Sequence, residues 1–106
     1  MNDTYIGIQK VRIIEHDKVH HIMIDLNESN NATRLFISDK EFGEFVRVNM
    51  VFSNPAEAYE HAVSMLELKG KTVDLEIEVA INVASIDDVA AAFSSAGVKV
   101  QKISQS

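Results

Sequence analysis

The chain contains no cysteine, a single proline and four glycines among its 106 residues. Without cysteine there is no disulfide framework and no thiolate-ligated zinc or iron–sulfur site. A small fold that manages without such staples suits a reducing compartment, and the cytoplasm is the expected location. So little proline and glycine also excludes collagen-like and low-complexity chains. Every apolar stretch falls far below the ~18 residues of a membrane span. The opening residues Met1-Asn2-Asp3-Thr4-Tyr5 lack a basic segment followed by an apolar one, so no secretory signal is expected.

Positive charge is in short supply as well. Lys and Arg number 10 against 16 Asp and Glu, a formal net charge of −6. The basic residues are scattered from Lys10 to Lys102 with no dense stripe. Phosphate backbones and anionic membrane surfaces both require clustered Lys and Arg, so neither nucleic acid nor membrane is an expected partner. What is present is ordinary: 46% hydrophobic and 25% charged residues match a globular domain. The length allows one domain, residues 1–106, burying roughly 60–70% of the surface of the unfolded chain.

Alternation and helical spacing divide the chain into elements. Residues 5–15 are rich in β-branched side chains and read as a strand. Residues 19–26 alternate, with His20, Ile22, Ile24 and Leu26 on one face and His21, Met23 and Asp25 on the other. A two-residue turn at Asp17-Lys18 would set Ile13 opposite Ile22, Val11 opposite Ile24 and Lys10 opposite Asp25. Asn27-Glu28-Ser29-Asn30-Asn31 is a turn, since Asn and Ser hydrogen-bond nearby backbone. Residues 33–37 form a third strand.

Ser38-Asp39-Lys40-Glu41 has capping-box spacing, which predicts a short helix leading into an extended segment through Phe52. A second helix starts at Asn54-Pro55-Ala56-Glu57, buries Tyr59, Ala62, Val63 and Leu66, and stops at Gly70. Val73, Leu75, Ile77, Val79, Ile81 and Val83 share one face of a long strand whose other face holds Asp74, Glu76 and Glu78. Ser85-Ile86-Asp87-Asp88 caps a last helix with stripe Ile86, Val89, Ala90 and Phe93, ended by Gly97 and followed by a strand. The expected architecture is α+β: one domain with a mixed sheet of about five strands, comprising an N-terminal antiparallel meander and a C-terminal β-α-β unit. Two or three helices cover it, mainly on one face.

Motifs for chemistry fail on spacing. Gly70-Lys71-Thr72 resembles the end of a phosphate loop, but it leaves a helix to enter a strand, the reverse of the order that loop requires. Asp25-Leu26-Asn27-Glu28-Ser29 starts like a calcium loop, but Asn30 stands at the sharp-turn glycine and Phe36 at the bidentate acid. Of the four histidines, His20 and His61 with nearby carboxylates are the alternative metal or small-ligand residues. The plainer reading makes His16 and His21 solvated, His61 a helical neighbour of Glu57, and His20 a neutral core imidazole. No cofactor is expected.

These observations point to a non-enzymatic, small acidic protein-binding module: a regulator, inhibitor or accessory subunit. Carboxylates on alternate strand residues repeat every ~6.6–6.8 Å, so Asp74, Glu76 and Glu78 form the expected surface for a basic protein partner. A symmetric homodimer is the second expectation. It would form through the aromatic segment carrying Phe42, Phe45, Met50 and Phe52, or through an exposed sheet edge.

Overall fold

The computed structural model describes residues 5–27, 29–30, 32–38, 44–81 and 83–105. Six strands and two helices follow in the order β1 (Tyr5–Glu15), β2 (Lys18–Asn27), β3 (Thr33–Ser38), β4 (Val46–Phe52), α1 (Pro55–Met65), β5 (Thr72–Ala80), α2 (Ile86–Ser95) and β6 (Lys99–Gln105). The strands form one mixed sheet of order β4-β3-β2-β1-β5-β6. All pairings are antiparallel except β5 with β6. The sheet therefore has six strands rather than about five. The additional strand is β4, where Val46, Val48, Met50 and Phe52 alternate. The helix expected from the Ser38 capping box falls on residues outside those described.

One face of the sheet carries the core. Val11 and Ile13 of β1, Ile22 and Ile24 of β2, Leu35 of β3, and Val73, Leu75 and Ile77 of β5 are all buried on it. Ala58, Tyr59, Ala62 and Val63 from α1, and Val89, Ala92 and Phe93 from α2, join the same cluster. Each such Val, Leu or Ile contributes about 1.5–3 kcal/mol by leaving water, which holds both helices on this face. Tyr59 and Phe93 meet there with ring centroids 5.4 Å apart, tying the helices together.

Alternation assigned faces correctly but not register. Glu15 pairs with Lys18, so the β1–β2 turn is His16-Asp17, and Ile13 faces His20, Val11 faces Ile22 and Lys10 faces Met23. The expected pairing is off by two residues, a slip that leaves every side chain on its original face. Backbone twist decides between the two. His16 takes the left-handed position (φ 56°) that matches a tight turn to twisted strands, and His enters this region more readily than most residues. Asp25 consequently faces Ile8 on β1 rather than Lys10. The strand of residues 73–83 is also shorter than its alternation suggests: β5 ends at Ala80, and Ile81 is 51% exposed.

The helix starts are as expected. Asn54 Oδ1 accepts from the Glu57 amide at 2.9 Å, and Ser85 Oγ from the Asp88 amide at 3.1 Å. Glu57 turns back to the amide and hydroxyl of Ser53 rather than to Asn54. The two helix ends share one geometry. In α2 the Val98 amide donates to the Phe93 carbonyl and the Gly97 amide to that of Ser94, with Gly97 left-handed at φ 92°. In α1 the Leu68 amide donates to Val63 and the Glu67 amide to Ser64. Here Glu67, at φ 56°, takes the place glycine holds in α2. Gly70 does not stop the helix; it bends the following turn at φ 82°.

Because β4, β5 and β6 run in one direction, α1 and α2 both return the opposite way and lie parallel. This places both helix N-termini at one end of the sheet and both C-termini at the other.

Candidate functional site

Asp74, Glu76 and Glu78 stand on the sheet face that no described helix covers. Glu78 is exposed, whereas Asp74 and Glu76 are half-buried. Glu76 lies 3.6 Å from Arg12 of β1, and Asp74 is in register with Lys102 of β6. The strand carboxylates are thus flanked by cations on both sides and do not form a bare acidic ladder. Further across, Arg34 clamps Asp25 through two hydrogen bonds of 2.9 and 2.6 Å, and its guanidinium lies 5.3 Å from the Phe36 ring centroid. Glu76 and Asp25 are thus ion-paired within the sheet, whereas Asp74 Oδ1 is buried without a hydrogen-bond partner and Glu78 makes no ion pair among the described residues. Between the pairs stand Ile8 and Val51, 39% and 54% exposed, with half-buried Met23 and Phe36.

The aromatic segment divides. Phe42 lies outside the described residues. Phe45 is half-buried with the Lys10 ammonium 5.8 Å from its ring, and Met50 is exposed. Phe52 belongs to the core and packs against the His61 ring at 5.2 Å. Two exposed residues of β4, Val46 and Val51, escaped the sequence reading. Alternation located the strand, but only the sheet order shows that it is an edge, where both side chains are left exposed.

The histidines do not converge. His20 faces the helix side beside Glu15, 3.7 Å from its carboxylate, while His61 sits on α1 against Phe52 instead of Glu57. Neither ring nitrogen of His20 makes a hydrogen bond among the described residues, so the expected bonded core imidazole lacks its bond. Among the described residues no three His, Asp or Glu side chains gather as a metal site.

The most buried polar contact is one that alternation and motif spacing do not reveal. Tyr59 donates its hydroxyl to Gln9 Oε1, and Gln9 Nε2 donates to the Ala84 carbonyl at 2.8 Å. Both side chains are essentially inaccessible. Burial pushes the Tyr59 hydroxyl well above the usual tyrosine range. The available signal was Gln9 itself, an uncharged polar residue on the β1 face that carries Val11 and Ile13. Tyr59 and Ala84 also floor a cleft of about 420 Å³ between α1 and α2. A second concavity of about 410 Å³ continues toward the helix C-termini and shares Glu60 and Ser95 with the first.

The helices hold four acidic residues with no ion pair among the described residues. Glu57, Glu60, Asp87 and Asp88 all lie on α1 or α2, and neither helix contains Lys or Arg. Among the described residues, the two helices thus carry four carboxylates and no Lys or Arg. No family model, curated protein or solved structure matches the chain.

Proposed function

We propose that the chain is a cytoplasmic, non-enzymatic acidic binding module, a regulator, inhibitor or accessory subunit, that engages another protein through its helix-free sheet face. The observation carrying this reading is the apolar content of that face. Ile8, Met23, Phe36 and Val51 interrupt what would otherwise be a solvated polar sheet surface. Asp74, Glu76 and Glu78 border them and set the preference for a basic rim on the partner. The cysteine-free composition supports the location.

The test is affinity capture from the native host, followed by binding of the purified partner to wild type and to Met23→Lys and Glu76→Lys/Glu78→Lys variants. Binding lost in both supports the reading, and binding unchanged in both sinks it. Self-association through β4, which exposes Val46, Met50 and Val51 at the sheet edge, belongs to the same proposal. Sedimentation at rising concentration checks it, and a constant monomer mass refutes it.

A further inference from the structure

A separate surface has a more specific chemistry. The two helices lie side by side and parallel, and the concavities between them join into one groove. The end at the helix N-termini is lined by Val83 and Ala84 above the buried Tyr59 and Ala92, and the end at the C-termini by Ala96 above the buried Val63. The walls are low because small residues line them, including Ala56, Ala91 and Ser95. The 11 residues of α1 give it a length of about 16 Å, roughly three turns of a helix laid alongside.

The groove is also electrostatically one-sided. Glu60, Glu67 and Asp88 line it, and none of the three makes an ion pair among the described residues. Lys69 is the one cation among the lining residues, at the C-terminal end of the helices, with its aliphatic stem against Gly97. Neither helix has a basic residue in its last turn. Since the helices are parallel, the partial negative charges of their carbonyl ends add at that same end instead of cancelling. Apolar floor, acidic walls and two aligned dipoles together describe the complement of a cationic amphipathic helix.

We propose that the α1–α2 groove docks a basic amphipathic helical segment of a partner protein. Apolar side chains of the segment enter the end lined by Ala56, Val83, Ala84 and Ala91, and Lys or Arg residues meet Asp88, Glu60 and Glu67 in turn. Helix-in-groove recognition of this kind places anchors at three- and four-residue spacing, which the groove length accommodates.

The experiment is fluorescence anisotropy with a labelled Lys/Leu peptide patterned as an amphipathic helix. A peptide of the same composition with strict Lys/Leu alternation, which cannot present one apolar helical face, is the control. Wild type binds the helical pattern and discriminates against the alternating one. Glu60→Lys/Glu67→Lys weakens binding about tenfold, equivalent to about 1.4 kcal/mol. Asp17→Lys/Glu44→Lys, which changes net charge equally but lines neither concavity, leaves it within about twofold. Ala91→Trp fills the N-terminal end of the groove without altering charge and also abolishes binding. Circular dichroism confirms that each variant is folded. Absence of wild-type binding overturns the proposal, as does equal weakening by the two charge-reversed pairs. Neither result bears on the sheet face, which is tested by its own variants.

Discussion

Replacing Glu67 by glycine should stabilise the protein. Glu67 is the residue after the α1 cap and sits at φ 56°, where a Cβ crowds the following carbonyl. That position costs a non-glycine residue about 1–2 kcal/mol. Glycine removes this cost but loses about 0.4–1 kcal/mol through a more flexible unfolded chain. The substitution also deletes a carboxylate at the negative end of α1, a relief of about 0.3–1 kcal/mol at low salt. The net gain is about 1 kcal/mol, equivalent to roughly 4–8 °C in melting temperature for a chain of this size.

Glu67→Ala separates the two contributions, since it removes the charge and keeps the Cβ. Urea unfolding followed by circular dichroism should rank Gly above Ala and Ala above Glu, at constant m. If Glu67→Gly is less stable than Glu67→Ala, the left-handed assignment is wrong. Raising the salt concentration should shrink the step from Glu to Ala and leave the step from Ala to Gly unchanged.

Three further outcomes follow from the same structure. Gly97→Ala imposes on α2 the strain that α1 already carries, and its Cβ would stand 3.0 Å from Lys69 Cγ; a loss of about 1–2 kcal/mol is expected in the same urea assay. Tyr59→Phe leaves Gln9 Oε1 buried without its donor and should cost about 1–3 kcal/mol, whereas an exposed-site control such as Glu44→Gln should be neutral. The raised Tyr59 pKa has a definite sign: the folded state holds a proton that the unfolded chain releases near pH 10. Its contribution is complete below that pH and is lost above it, by about 1.4 kcal/mol per pH unit, so the ultraviolet phenolate signal of Tyr59 should appear only together with unfolding.

Much of the secondary structure was legible because its determinants are local. Asn54 and Ser85 cap by bonding amides three residues away, Gly97 ends α2 through its own backbone, and alternation in residues 72–77 exposes one face of β5 whatever lies beside it. The failures share a different origin. A two-residue slip of the β1–β2 hairpin preserves every face, so alternation could not choose between Ile22 and Ile24 as the neighbour of Val11. Phe52 and Met50 look equivalent along the chain, yet one is core and the other exposed, because β4 is a bulged edge. Ile81 continues the pattern of β5 beyond the point where the strand ends.

Composition alone excluded a disulfide framework and a thiolate metal site, and it established an acidic surface lacking any clustered cation. Those conclusions need only an inventory of side chains. The address of the acidity needed tertiary structure. Strand order brings Arg12 and Lys102 alongside the carboxylates of β5, and parallel crossovers gather Glu60, Glu67 and Asp88 around one groove with no cation on either helix. The same long-range pairing joins Gln9 to Tyr59 across 50 residues. A charge acts through its neighbours in space, and its neighbours here come from distant parts of the chain.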